Sequence, residues 1–186
     1  TCDMVVEDYR PGVLEGLGLG YDRMAEANKA LVYISLTLTG AAFAERLTDS
    51  PLVDTEWLQS HLGNDSLVVL DIRDNSDTAT PYADGHIPGA VHAPYGAGGW
   101  RAQVDGTPGM LPPVDQISSV IGNYGVANDE HVVIVPFGNN SSDFGSATRV
   151  YWTFKVLGHD AVSILDGGYA AWTGAGGELS TDDVAV

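Results

Sequence analysis

Short apolar runs alternate along the chain with stretches of helical period, and the alternation predicts strands and helices in turn. Cys2 to Glu7 reads as an apolar strand centred on Asp3-Met4-Val5-Val6. Pro11 follows Arg10 and suits the first turn of a helix, where its missing N–H would be unpaired anyway. Gly16, Gly18 and Gly20 interrupt that stretch. Tyr21 to Ala30 then fits a second helix, with Met24 and Ala27 on one side, and Leu31-Val32-Tyr33-Ile34-Ser35-Leu36 is β-branched and aromatic, as strands are. Residues 39–53 carry no strand signal. Ala41 to Leu47 fits a short helix, Thr48-Asp49-Ser50-Pro51 reads as a linker, and a seam falls near Ser50.

Beyond the seam the alternation resumes. Asp54 is placed to cap a helix that runs through Glu56, Trp57 and Leu58 and stops at Gly63. Leu67-Val68-Val69-Leu70-Asp71 is apolar until its last residue, the pattern of a central parallel strand. The turn Asp84-Gly85-His86-Ile87-Pro88-Gly89 leads to a short strand, Ala90-Val91-His92. Pro94 to Pro113 is rich in Gly and Pro and is predicted irregular. Val114 to Tyr124 places Ile117, Val120, Ile121 and Tyr124 on one helical face, with Gly125 as the stop. His131-Val132-Val133-Ile134-Val135 is a second buried strand and Phe137 to Ser146 a polar loop. Ala147 to Leu157 is a helix ended by Gly158, Val162 to Leu165 a last strand, and Asp166-Gly167-Gly168 turns into a short helix, Tyr169 to Trp172. Trp152 and Trp172 read as core or interdomain packing. The fold class is therefore α/β: a parallel sheet flanked by helices, preceded by a short β-α-α-β fragment.

Composition narrows the function. The 186 residues suit one domain plus a fragment, and no apolar run reaches the ~18 residues of a membrane-spanning helix. Asp and Glu number 25 against eight Lys and Arg, a formal charge of −17, which excludes nucleic acid and anionic membrane as partners because phosphates would be repelled. Residues 1–50 hold eight acidic and four basic side chains, residues 51–186 hold 17 and four. Such acidity fits either adaptation to high salt or an ordinary acidic protein, and the sequence leaves both open. The one cysteine, Cys2, excludes an internal disulfide and a multi-cysteine metal site. His92, His131 and His159 are spaced too widely to form a metal set, so no metal and no cofactor is expected. The chain opens on Thr1 inside an apolar run, which reads as a fragment or processed product. No signal-peptide pattern is visible, and the expected location is cytoplasmic, with the periplasm left open.

Val69-Leu70-Asp71-Ile72-Arg73, Tyr82 to Gly85 with His86-Ile87-Pro88-Gly89-Ala90, Val132 to Val135, Leu157-Gly158-His159 and Ile164-Leu165-Asp166-Gly167-Gly168 with Trp172 resemble, in order and spacing, the rhodanese (sulfurtransferase) family. Met110-Leu111-Pro112 and the run from Phe144 to Phe154 are similar to the N-terminal domain of the two-domain thiosulfate and 3-mercaptopyruvate sulfurtransferases. That resemblance implies a rhodanese-like fold without the nucleophile, which in the family sits in the C-terminal domain. Val5 to Leu14, Leu17 to Tyr21, Asn28 and Leu31 to Ser35 resemble a stretch of the class III CoA-transferases, ending near Gly40. Asp8 stands where that family usually has Asn, and no catalytic residue comes with the match. The implied organisation is a CoA-transferase-like fragment at 1–45, a linker at 46–53, a rhodanese-like domain at 54–177 and a tail at 178–186.

Sulfane-sulfur transfer needs a cysteine thiolate, which is taken to a persulfide in a loop between a buried strand and a helix. Helix N-terminal N–H groups aimed at the sulfur favour the anion. Here the corresponding loop, Pro136 to Ser146, has no cysteine, and Asp143 adds negative charge where positive is wanted. No catalytic residue is therefore expected, and the isolated chain is expected to be inactive. Cys2 has no neighbouring cation to activate it. Three residues are candidates for a substrate cleft. His86 matches a histidine proposed to polarise substrate in the family, with ordering of the turn before Pro88 as the structural alternative. Asp71 ends a parallel strand, where open α/β sheets place their sites, or it holds Arg73 or a loop N–H. Arg149 falls near the start of the helix after the loop, to bind a substrate anion or form a salt bridge. The expected partner is a second, catalytic rhodanese domain, with a small sulfur-containing substrate in the intact enzyme. Two other functions stay open: a stand-alone binding module of rhodanese type, and a CoA-transferase fragment with an unrelated domain appended.

Overall fold

The apolar runs Met4–Glu7 (β1) and Val32–Ser35 (β2) pair in parallel in the computed structural model, Met4 opposite Val32 through to Glu7 opposite Ser35. The structure describes residues 4–7, 26, 32–35, 46–74, 81–182 and 184. Cys2, the helix expected after Pro11, the helix at Tyr21–Ala30 apart from helical Glu26, and the Ala41–Leu47 helix up to residue 45 lie outside them. The chain divides into two compact units, Thr1–Ala41 and Ala42–Val186.

In the second unit five strands form one parallel sheet. They are Leu52–Val53 (β3), Leu67–Asp71 (β4), Val91–His92 (β5), His131–Val135 (β8) and Val162–Leu165 (β9), in spatial order β3-β9-β8-β4-β5. The helices are Thr55–His61 (α1), Val114–Asn123 (α2), Ser141–Val156 (α3) and Gly168–Gly174 (α4). Asp54 caps α1 by accepting from the Trp57 N–H at 2.8 Å. Gly63, Gly125 and Gly158, at φ +82°, +72° and +83°, take the left-handed positions that end α1, α2 and α3.

β8 is buried along its whole length, because successive side chains serve opposite faces of the sheet. Val132 and Ile134 join Leu70, Val162 and Ile164 under Ile117 of α2 and Val150 and Phe154 of α3. Val133 and Val135 join Val53, Val69 and Leu165 under Leu58 of α1 and Tyr169 and Trp172 of α4. Each such aliphatic side chain contributes about 1.5–3 kcal/mol on removal from water.

Several expectations are corrected. Residues 52–53 are a strand: the Ile164 N–H donates to the Pro51 carbonyl at 2.9 Å and the Asp166 N–H to the Val53 carbonyl at 2.8 Å. Two residues cannot show a period, so the strand borrows its conformation from β9. Pro94–Pro113 is not wholly irregular. Ala102–Val104 (β6) and Thr107–Met110 (β7) form an antiparallel hairpin around Asp105 (φ +49°) and Gly106 (φ +81°), the Asp-Gly pair that such turns favour. α3 starts at Ser141 rather than Ala147, because Asn140 caps it. Of the two tryptophans read as core or interdomain packing, Trp172 is core, and for Trp152, which is exposed, only the core alternative fails. Ser180 also pairs with the turn at His86, through two backbone hydrogen bonds of 2.9 Å. No helix among the described residues is long and apolar enough to cross a membrane.

Candidate functional site

β4 leads to β5 on one side of the sheet and β8 leads to β9 on the other. The loops after β4 and β8 therefore diverge, and a crevice opens at the carboxyl ends of these two neighbours. Its volume is about 360 Å³, and Arg73, Tyr95, Phe137, Asn140 and Asp143 are among its walls. Below it the chain passes from β8 through Pro136–Asn140 into α3.

The loop is built by backbone. The Tyr169 and Ala170 N–H groups donate to the carbonyls of Pro136 (2.8 Å) and Phe137 (2.9 Å), which ties the loop to the start of α4. Gly138 (φ +92°) and Gly168 (φ +59°) permit this approach, since a Cβ on Gly138 would collide with the Gly167 carbonyl and one on Gly168 with that of Pro136. Gly167-Gly168 thus braces the loop.

At the helix entrance three N–H groups are met from within the chain. The Asn140 side-chain oxygen accepts from Ser142 N–H at 2.8 Å and Asp143 N–H at 3.1 Å, and the Asp143 carboxylate accepts from Asn139 N–H at 2.9 Å. No cysteine lies anywhere from Pro136 to Ser146.

None of the three candidate residues lines this crevice, and the structure does not bring them together. Asp71 is fully buried and grips Arg73: guanidinium Nε lies 2.9 and 3.0 Å from its two oxygens, and Nη2 lies 2.7 Å from Oδ2. Arg73 Nη2 also donates to the Gly85 carbonyl at 3.0 Å, and the guanidinium lies 3.5 Å from the centre of the Tyr169 ring. Asp71 reaches the crevice through Arg73. His86 is buried in the turn, with Nδ1 3.1 Å from the Tyr82 carbonyl. A carbonyl only accepts, so Nδ1 carries a proton, and Nε2 is buried with no partner. The His86 ring stacks on Tyr82 at 4.0 Å, and Tyr82 also stacks with His92 at 4.5 Å. Arg149 falls in the middle of α3, donating from Nη2 to the Gly109 carbonyl at 3.0 Å, with its guanidinium 4.7 Å from the Trp152 ring centre.

Sequence reasoning missed Arg73, Asn140 and Tyr95 as crevice residues. Arg73, two residues beyond a strand-end carboxylate, and Asn140, ahead of a helix that needs a cap, were readable signals; Tyr95 had none. His131 lies at the other end of the sheet. It is buried, with Nε2 3.2 Å from Ser163 Oγ and Nδ1 unpartnered. Burial, reinforced by the cationic forms of His159, Arg46 and His61, lowers its pKa from 6.5 to about 4.

A five-stranded parallel sheet with a strand–loop–helix crevice beside its switch point defines the class: an α/β domain of rhodanese type. The chain belongs to the rhodanese-like family, whose model, described as "Rhodanese-like domain", matches residues 54–175. The thiosulfate/3-mercaptopyruvate sulfurtransferase 2 of Arabidopsis thaliana is 30% identical over 146 residues, 76% of this chain and 41% of its own length. The 3-mercaptopyruvate sulfurtransferase of Escherichia coli K12 is 31% identical over 126 residues, 64% of this chain and 43% of its own. The crystal structure of SseA from Escherichia coli, a 3-mercaptopyruvate sulfotransferase, superposes with a TM-score of 0.58 at 27% identity, covering 70% of this chain and 51% of that one. The chain thus spans less than half the length of the curated relatives it matches. A model described as "CoA-transferase family III" matches residues 1–65, further than the end near Gly40 that the motifs gave. Residues 52–61 of that match lie in β3 and α1, within the second unit.

Proposed function

We propose that this chain is the non-catalytic half of a sulfurtransferase of thiosulfate or 3-mercaptopyruvate type, and that it supports the active site of a second rhodanese domain across a cleft. The observation that carries this reading is the loop Pro136–Asn140 with the first turn of α3: it has no thiol, and its Asn139, Ser142 and Asp143 N–H groups are met by the side chains of Asn140 and Asp143. A thiol can attack a sulfane sulfur and keep it as a persulfide; a serine hydroxyl at neutral pH cannot. Asp71, through Arg73, gives the crevice wall its shape, His86 orders the turn at Tyr82, and Arg149 fixes the β6–β7 hairpin against α3. The substrate belongs to the two domains together. The reading calls for no cofactor and places the protein in the cytoplasm.

A binding module of rhodanese type that acts without catalysis would use the same loop. The two readings separate on whether a cysteine-bearing rhodanese domain gains sulfur-transfer activity when this chain is added. The chain alone is expected to show no thiosulfate:cyanide transfer above a Cys2→Ser control. Turnover that the Cys2→Ser change abolishes would overturn the assignment.

A further inference from the structure

At the end of the sheet away from the crevice, His131 opens β8 and is fully buried. Three groups are joined in a chain there. The Ser163 hydroxyl on β9 donates to the Ser50 carbonyl at 2.6 Å, and His131 Nε2 lies 3.2 Å from that hydroxyl oxygen. A carbonyl only accepts, so the hydroxyl proton is spent on Ser50 and Nε2–H is the donor to Ser163. The neutral ring then has its lone pair on Nδ1, which is buried with no partner. A second proton has only Nδ1 to go to, where it would make a buried cation whose N–H meets no acceptor.

The surroundings oppose that cation. His61, at the end of α1, stacks on Trp57 at 4.0 Å, and Trp57 lies 5.9 Å from the His131 ring. His61, His159 and Arg46 in their charged forms all disfavour a charge on His131. The carboxylates of the surrounding elements are engaged or distant. Asp49 holds Arg46 at 2.7 Å, Asp160 holds Lys155, and Glu130 accepts from the Ala127 N–H at 2.6 Å. Asp54 and Glu56 lie at the start of α1, His61 at its end. Asp71 ends β4, whereas His131 pairs with Leu67 at its beginning, and β9 has no carboxylate. The closed site therefore rejects the proton, and a ring opened to water takes it at the ordinary pKa of 6.5.

The seam 46–53 is the part of this region held by fewest bonds. Its strand β3 has two residues and lies at the edge of the sheet, tied to β9 by the Ile164 N–H on the Pro51 carbonyl and the Asp166 N–H on the Val53 carbonyl. Arg46 adds a bond from Nη2 to the Asp160 carbonyl at 3.1 Å. A short edge segment held this way opens at less cost than the whole fold. We infer that the seam 46–53 is a latch, fastened by neutral His131 through Ser163 and Ser50, and that acid releases it. Release bares the edge of β9, where the Ile164 and Asp166 N–H groups lose their acceptors. The inference stands apart from the proposed function, and the sulfur-transfer assay does not bear on it.

Hydrogen exchange of the full 186-residue chain tests it. The Ile164 and Asp166 N–H groups report the latch, and the Ile72 N–H, which donates to the Val135 carbonyl, reports the middle of the sheet. At about pH 7.5 the two latch amides are expected to exchange at least about tenfold faster than Ile72, because the seam opens alone. Corrected for intrinsic exchange rates, their protection should fall roughly thirtyfold by about pH 5, the ratio that pKa values of 6.5 opened and about 4 closed give. His131→Gln keeps a donor for Ser163 but takes up no proton, and should make their protection independent of pH over that range. Nitrogen NMR of the parent's imidazole serves where that variant fails to fold: the ring should be the Nε2–H tautomer and stay neutral at about pH 5.5. Equal protection of Ile164, Asp166 and Ile72 would show that no separate latch exists. A fall that persists in His131→Gln, no fall in the parent, or an imidazolium at His131 in the folded chain would each overturn the inference as well.

Discussion

Removing the Asp71 carboxylate should cost more stability than any other single polar change in the sheet. Both side chains of the Asp71–Arg73 pair are fully shielded from solvent. Asp71→Ala would strip a buried guanidinium of the carboxylate that grips it through both oxygens, a change that costs about 3–5 kcal/mol. Arg73→Met would leave the carboxylate in the same position and also strip the Gly85 carbonyl of its donor, which adds about 1–3 kcal/mol. Asp71→Leu with Arg73→Met removes both charges at once. Its cost should fall to about 1–3 kcal/mol, mostly the orphaned Gly85 carbonyl, because an apolar pair of similar volume replaces a buried ion pair at little net cost. The assay is urea unfolding read by tryptophan fluorescence. All four tryptophans, Trp57, Trp100, Trp152 and Trp172, lie in the second unit, so the signal reports that unit alone. Asp71→Asn, which keeps an acceptor, serves as the milder variant should Asp71→Ala fail to fold. Additive costs in the double variant, or a loss below about 1 kcal/mol in Asp71→Ala, would show that the pair is not the coupled unit its geometry describes.

Acid should act through His131. Its folded pKa of about 4 lies below the ordinary 6.5, so the unfolded chain takes up the proton first, and stability falls as pH drops from 6.5 towards 4. His131→Gln should flatten that slope relative to the parent, and an unchanged slope in pH-dependent urea melts would refute the assignment. The ends of the domain give a second test. Residues 46–182 expressed alone should melt well above residues 54–177, which lack the two β3 hydrogen bonds and the two between His86 and Ser180. At about 0.5–1.5 kcal/mol each the difference is about 2–6 kcal/mol, and equal midpoints would place 46–53 and 178–182 outside the fold.

The parts of the fold legible in the sequence are those where one residue type repeats. The runs His131–Val135 and Val162–Leu165 are apolar apart from His131 and Ser163 because both faces of those strands are covered, and the structure places each over the residues expected. The entrance to α3 was illegible for a different reason. Ser141, Ser142 and Gly145 are poor helix formers, and only the cap at Asn140 and the packing of the turns beyond hold them helical. The hairpin at Asp105-Gly106 had a readable turn signal, but β6 has only three residues in which to show a period, and β7 is exposed at every residue. The crevice residues were hardest to find. Tyr95 lies far from Asn140 in sequence, and the topology alone makes them neighbours.

The contacts that tie the loop Pro136–Gly138 to the start of α4 are backbone, and that separates its shape from its chemistry. Pro136 and Phe137 are fixed by their carbonyls, and Gly138, Gly167 and Gly168 by the absence of side chains. None of these constraints specifies what the loop's side chains must be. A loop held this way can lose a thiol with no loss of fold. What it cannot leave unsettled is the set of N–H groups at the mouth of a 16-residue helix, whose dipole attracts negative charge. Asn140 takes two of those groups and the Asp143 carboxylate takes the Asn139 N–H beside them, so the loop supplies its own acceptors. The acidic residue that argues against anion binding and the absence of a cysteine from the loop therefore meet at one place, a helix entrance where three N–H groups are taken up by the chain's own side-chain oxygens.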